Sequence, residues 1–241
     1  MTPNCQVARS SSGKVKTLSR EQVTRFLAIL MLPLFLFPIA GRWDWWQGWA
    51  YIAGCVLPAV ISRVLVARKN PDLIKERARY ASSEGVKSWD KKLVPLIVYL
   101  PLLAMVIAAL NLRFAWMPQI PLWLQLLGLA GMTLGMVFSS WAMVANRFFA
   151  ALVRIQTDRG HTVVMAGPYR IIRHPGYAGG ILADLSFPFL LGSVWALIPI
   201  AIVLALIIVR TSLEDRTLQA ELPGYREYAA RVRYRLLPGI W

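Results

Sequence analysis

Five long apolar runs, at about 26–40, 45–67, 93–110, 122–145 and 178–209, leave this 241-residue chain few ways to fold. The second, third and fourth are each long enough to cross the roughly 30 Å hydrocarbon core of a bilayer as a helix. The first is short and holds Pro33 and Pro38, so it must borrow flanking residues or kink. The fifth has 32 residues, too many for one simple span, and carries Gly192-Ser193 near its middle, which reads as a helical hairpin. Hydrophobic residues make up 57% of the chain and charged residues only 16%, against roughly a quarter charged in soluble globular chains. That balance excludes an ordinary water-soluble enzyme. The predicted fold is all-α: a polytopic transmembrane bundle of about six helices whose last two form a hairpin.

The formal charge of +15 does not make the chain a nucleic-acid binder, because its basic residues form short clusters between the apolar runs. Cytoplasmic loops collect Lys and Arg, and the clusters alternate accordingly. Segment 1–25 has five basic residues, 68–92 has eight, 146–177 has five and 210–241 has six, together 24 of the 27; connections 41–44 and 111–121 carry only Arg42 and Arg113. Both flanks of the fifth run are then cytoplasmic, which requires an even number of crossings and puts both termini on that side. Residues 1–25 read as a disordered basic tail. A signal peptide is the competing reading, but no small-residue cleavage site follows the apolar stretch. Residues 26–145 are expected to hold four transmembrane helices, and 146–241 a catalytic region with a cytoplasmic loop and C-terminal helix. Cys5 and Cys55 provide neither a disulfide framework nor metal-ligand spacing. Trp43, Trp45, Trp46 and Trp49 read as an interfacial belt, and Gly128, Gly131 and Gly135 as a close helix-packing stripe.

Most of the unusual polar residues fall in one block: His161-Thr162-Val163-Val164, Gly167-Pro168-Tyr169-Arg170 and Arg173-His174-Pro175-Gly176-Tyr177-Ala178-Gly179. Gly-Pro and His-Pro interrupt regular helix, so the block is a folded loop at the mouth of the bundle. Tyrosine rings and glycine backbone suit a polar aromatic ligand; a basic loop holding phospholipid headgroups is the alternative. A second cluster, Arg210-Thr211-Ser212-Leu213-Glu214-Asp215-Arg216, begins where the last apolar run stops. Arg210 and Glu214 are i and i+4 and share a helix face. Singly they read as a surface ion pair of little energetic weight, but ionisable residues at the end of a membrane helix facing a polar loop are functional candidates.

Taken with Gly224-Tyr225-x-x-Tyr228 and the closing Arg-Leu-Leu-Pro-Gly, these motifs resemble the C-terminal half of the isoprenylcysteine carboxyl methyltransferases over about residues 150–241. Phospholipid N-methyltransferases carry a related pattern. The resemblance implies S-adenosylmethionine as cofactor, contacted by His161, Thr162, Val163, Val164, Tyr169, His174, Pro175, Gly176, Tyr177 and Glu214. It implies Arg210 as the residue facing the substrate, with Arg210 and Glu214 the catalytic pair. The position seven residues before the histidine is Arg154, where those enzymes often have Gln; here the nearest Gln is Gln156. Asp215 stands where a second Glu is commoner.

Methyl transfer from a sulfonium is an in-line displacement that needs alignment and exclusion of water, and no metal. A carboxylate nucleophile is already ionised at neutral pH, so one well-placed Arg is the expected anchor. An amine would first have to lose a proton, with Glu214, His174 or a tyrosine assisting. The acceptor implied is a lipophilic or prenylated molecule entering from the bilayer among membrane lipids. The rivals are an NADPH-dependent sterol or steroid reductase, whose loop is similar but tends to continue with Gly-Glu where this chain has Ala178-Gly179, and a noncatalytic lipid-binding membrane protein. The charge pattern yields a direct test. Cysteine probes at 41–44 and 111–121 should be labelled from outside, and probes at 80–88 and the C-terminus should not; labelling of the C-terminus from outside would overturn the even crossing count.

Overall fold

A computed structural model describes residues 32–78 and 85–241; the predicted tail 1–25 and the start of the first apolar run lie outside the described residues. The remainder of that run is a short 3-10 turn, Leu32–Phe35, followed by α1, Leu36–Ala40, which stops at Gly41 with φ +74°. The kinked, proline-bearing segment read from Pro33 and Pro38 is what forms. Three long helices follow the predicted runs: α2, Trp46–Lys69; α4, Ser88–Phe114; and α5, Leu122–Ala145. Between α2 and α4 lies the short polar helix α3, Pro71–Ala78. The fifth run is the expected hairpin, α6 (Pro175–Leu190) and α7 (Leu197–Glu221), turning at Gly192 with φ +78°, and α8 (Tyr225–Arg231) follows.

Among the described residues, α2, α4, α5 and α7 are long and apolar enough to span a membrane. Their outward faces are greasy. Leu57, Ile61, Leu96, Leu127, Leu134, Val137 and Ile198 are each more than half exposed or nearly so, an arrangement costly in water and natural against lipid. The protein is an integral membrane helical bundle. The 16 residues of α6 rise only about 24 Å, so this arm is shorter than a full hydrocarbon crossing. It still reaches the far-end turn, where Ser193 bonds Asn111 at the end of α4 and the Trp195 indole donates to Met117 O at 3.1 Å.

The two ends of the bundle differ in charge as the loop pattern requires. Arg113 donates to Ile39 O at one end. At the other, the basic connections are tied to one another by Lys87–Glu221 at 2.6 Å, Arg210–Asp90 at 2.7 Å and Arg235–Asp215 at 3.0 Å.

The pair α5 and α6 makes the closest approach. A Cβ added at Gly135 would lie 2.5 Å from Gly179 O, one at Gly179 would lie 2.6 Å from Gly135 O, and one at Gly128 would lie 2.5 Å from Leu190 N. These obstacles are backbone atoms and cannot yield like a flexible side chain. The glycine stripe therefore fixes the depth at which α6 sits, and its N-terminal Pro175-Gly176 with it. The tryptophan belt is corrected in one member: Trp43, Trp46 and Trp49 are exposed, but Trp45 is 2% exposed and packs edge-on against the buried Phe37. Alternation around the turn sends one indole inward.

Gly179→Ala should destabilise the protein by about 1–3 kcal/mol, the usual cost of overpacking. Gly180→Ala, one residue on where nothing lies within 4 Å, should be neutral or slightly stabilising because Ala favours helix. Thermal melting of the two variants checks this; equal midpoints would contradict the packing account.

Candidate active site

A cavity of about 330 Å³ opens at the basic end of the bundle, between the loop after α5, the start of α6 and the last turns of α7. His161, Thr162, Val163, Val164 and Tyr169 line it from the loop, His174, Gly176 and Tyr177 from the start of α6, and Arg210 and Glu214 from α7. Pro175 alone of the predicted set is not on the wall; it is buried as the first residue of α6, where its missing N–H and fixed φ suit a helix start.

Local chemistry orients each group. The Gln156 backbone N–H donates to His161 Nδ1 at 3.3 Å, so the ring's proton resides on Nε2 and is available as a donor. Burial, then the neighbouring charges of Arg159 and Arg154, lower the His161 pKa to about 4, and the ring lies 4.5 Å from that of Phe148. Asn146 donates to the Tyr169 hydroxyl at 3.2 Å, and the Tyr228 hydroxyl donates to Tyr169 O at 2.7 Å. Burial pushes the Tyr169 phenol up, so it stays protonated. Tyr177 donates to Glu214 at 2.5 Å, leaving the other carboxylate oxygen for a ligand.

Arg210 is not the surface ion pair that its spacing from Glu214 suggested. It is 8% exposed and grips Asp90, at 0%, through Nε to Oδ1 (2.7 Å) and Nη2 to Oδ2 (3.0 Å), with Nη2 also donating to Ala151 O at 2.9 Å. Its guanidinium carbon stands 5.2 Å from the centre of the Tyr177 ring. Nη1 is the part of the fork that these bonds do not use. Asp90, from the first turn of α4, also accepts from the Val153 N–H at 2.7 Å. Asp215 is a second buried carboxylate, accepting from Tyr225, Gln219 and Arg235 and facing His174 at 3.3 Å and Arg173 at 3.1 Å. It braces the site and does not line it. Arg154 and Gln156 both border the cavity, but Arg154 is committed to Glu76 and Asp158, and Gln156 to Phe148 O and Arg159.

Sequence reasoning missed Asp90, Asn146 and Phe148, and singled out Tyr225 and Tyr228 as a motif without giving them a role. A lone acid among Lys87, Lys91 and Lys92 at a helix start was a readable signal for Asp90. Asn146 and Phe148 carry no comparable mark.

Comparison with known proteins places this site in a class. Residues 126–220, which run from within α5 to the end of α7, match the profile of the isoprenylcysteine carboxyl methyltransferase (ICMT) family. This region is similar to that methyltransferase family. The chain is 36% identical over 103 residues to the cobalt-zinc-cadmium resistance protein CzcN of Cupriavidus metallidurans, covering 42% of this chain and 46% of the relative. It is 30% identical over 82 residues to protein-S-isoprenylcysteine O-methyltransferase B of Arabidopsis thaliana, covering 34% and 42%. The chain thus spans about half the length of the curated relatives it matches. Among the described residues, no three His, Cys, Asp or Glu side chains cluster as a metal site requires.

The His161 environment predicts a pH response. Its folded pKa of about 4 lies below the ordinary 6.5, so the unfolded chain binds the proton first as pH falls. Its contribution is intact above about 6.5 and is lost progressively toward 4. Melting midpoints of the parent should fall more steeply over that window than those of His161→Gln; parallel profiles would show that the ring is not buried as a neutral base.

Proposed function

We propose that this protein is a membrane S-adenosylmethionine-dependent methyltransferase acting on the carboxylate of a lipophilic, isoprenylcysteine-like molecule. The observation that carries the reading is the Arg210 fork, held by Asp90 with Nη1 unspent beside Tyr177 and Glu214. Residues 146–241 form the catalytic region, with the basic end and both termini on the cytoplasmic side.

The residues present fit the cofactor. His161 Nε2–H and the Thr162–Val164 backbone offer polar contacts, Tyr169 and Tyr177 offer aromatic walls, and the second oxygen of Glu214 accepts from an ammonium or a ribose hydroxyl. When bound, the cofactor supplies an electrophilic methyl group on a sulfonium. His174 and Gly176 set the floor at the start of α6, behind which Pro175 begins the helix, and a Cβ on Gly176 would meet the Phe149 ring at 2.6 Å.

The chain's own part is placement. Arg210 Nη1 holds the acceptor carboxylate, which needs no base because it is ionised at neutral pH. Charge-assisted contact strengthens at a boundary of lower polarity. Asp90 acts through Arg210 as a positioning residue: it neutralises a buried cation and fixes the plane of the fork. Val94, Ile97 and Val98 of α4 line the cavity, and Val98 is 52% exposed on the outer face of the bundle. This apolar wall provides a lateral path for a prenyl or acyl chain from the bilayer. The preference for a carboxylate over an amine follows from Arg210, which would repel a protonated amine.

Transfer of labelled methyl from S-adenosylmethionine to a farnesylated cysteine derivative tests the reading. The label should be released as methanol by mild base, as from an ester; label that survives base would mark N-methylation and contradict the carboxyl assignment. Glu214→Gln should weaken S-adenosylhomocysteine binding by roughly ten- to a hundredfold, consistent with one charge-assisted hydrogen bond of about 1.5–3 kcal/mol. Arg210→Lys keeps a charge opposite Asp90 but loses the bidentate fork, and should raise the acceptor KM and lower kcat with cofactor affinity nearly unchanged. Parental kinetics in Arg210→Lys would remove Arg210 from the acceptor site.

A further inference from the structure

The segment after α8, residues 232–241, forms a closed turn whose backbone is spent on itself. Arg235, Leu236 and Leu237 each donate N–H to Trp241 O at 2.9–3.2 Å, Ile240 and Trp241 donate back to Leu237 O at 3.1 Å, and Gly239 supplies the φ of +83°. The Arg235 guanidinium stands 5.0 Å from the centre of the Trp241 ring. Leu236 is buried, but Leu237 is 54% and Ile240 79% exposed, the latter the most exposed large hydrophobic among the described residues. A turn with its N–H groups satisfied from within and its leucine and isoleucine turned outward suits a medium poorer in water than bulk solvent.

Neighbouring structure fixes the height of this turn. Arg173 N–H donates to Tyr234 O at 3.0 Å and His174 N–H to Arg235 O at 2.9 Å, so the start of the segment runs beside the residues that lead into α6. In that strip Ile172 is buried and Ile171 is 56% exposed. Just before it, the 167–170 turn rests on the end of α5: a Cβ on Gly167 would come within 3.1 Å of Trp141 Nε1 and 3.2 Å of Ala145 Cβ. The 24 residues of α5 rise about 36 Å, a little more than the roughly 30 Å of hydrocarbon. Its final turn, and the strip that rests on it, therefore lie at headgroup depth. Trp141 is exposed there, where indoles settle.

Charge fits the same surface. Residues 159–183 and 228–241 contain no Asp or Glu, and each stretch contains three Arg; Glu227, on α8, is the acid just before the second. Arg173 and Arg235 are committed to Asp215. Arg170, Arg231 and Arg233 are exposed, and among the described residues none of the three has a carboxylate partner. We infer that the 232–241 turn and Ile171 form an interfacial foot: Ile171, Leu237 and Ile240 enter the acyl boundary of the leaflet at the basic end, and Arg170 and Arg233 meet anionic lipid headgroups. Apolar side chains among arginines, with no acid between them, are what such a surface binds. The assignment stands independently of methyl transfer. It also connects the bilayer surface to the candidate site, because the residues tied to the foot, Arg173 and His174, face Asp215 together with Arg235.

The test uses the full chain, with Cys5→Ala and Cys55→Ala, reconstituted in vesicles with one fluorescent label on Ile171→Cys, Ile240→Cys or, as control, Ala220→Cys, an exposed position ten residues beyond Arg210 on α7. A nitroxide carried by lipid just below the headgroups should quench the labels at 171 and 240 several-fold more than the label at 220, and a water-soluble nitroxide should do the reverse. Quenching by the lipid nitroxide at 240 should be greater where a third of the phosphatidylcholine is replaced by phosphatidylglycerol, and Arg170→Gln/Arg233→Gln should remove that difference. A phosphatidylglycerol with a photoactivatable group beside its glycerol should crosslink the unmodified protein within 165–172 or 234–241, a readout that does not depend on a variant folding. Equal access of the soluble nitroxide to 240 and 220, or crosslinks confined to other segments, would overturn the foot and leave this face to a soluble protein partner. Equal quenching in the two vesicles would overturn anionic headgroups as what the arginines meet.

Discussion

The bidentate contact between Asp90 and Arg210 is the interaction on which the rest of the basic end depends. Neither group can exist there alone. Asp90 has no exposed surface and Arg210 almost none, and stripping a buried ion of its partner costs about 3–5 kcal/mol. The pair joins the first turn of α4 to the middle of α7, and through Val153 N–H and Ala151 O it fastens the loop that follows α5. It therefore closes the cavity wall and aims the unspent nitrogen of Arg210. Truncation of Arg210 to Ala would confound catalysis with folding for this reason, whereas Lys leaves Asp90 a counter-charge.

Asp215 performs the equivalent service one turn further along α7. Its carboxylate gathers His174 from the start of α6, Tyr225 from α8 and Arg235 from the C-terminal segment. Glu214, next to it in sequence, points to the other side and meets Tyr177. Adjacent residues on a helix are separated by 100°, so one acid braces while the other faces the cavity. The α5–α6 glycine contacts complete the frame by fixing how deep α6 lies, and with it the height of His174 and Tyr177.

Much of this was legible in the sequence because membranes simplify the code. Helices α2, α4 and α5 follow their apolar runs closely, and Gly192 marks the hairpin turn. The loop motifs that resemble the methyltransferases gather around one cavity, since His-Pro and Gly-Pro steps fold the chain back onto the bundle. Hidden from a one-dimensional reading were contacts between residues far apart in the chain. Asp90 and Arg210 are 120 positions apart, and no local pattern marks them as partners; i,i+4 spacing pointed to Glu214 instead. Trp45 was misread because composition shows an indole cluster but not which ring turns inward. The short polar helix α3 lies outside every apolar run.

The central proposal is that the loop after α5, the start of α6 and the last turns of α7 enclose one nucleoside cofactor. Amide hydrogen exchange on the purified protein, with and without S-adenosylhomocysteine, measures this directly. The account predicts added protection in peptides covering 156–178 and 207–218, with little change along α2 or the outer face of α5. Protection absent from both segments, or confined to other helices, would contradict it.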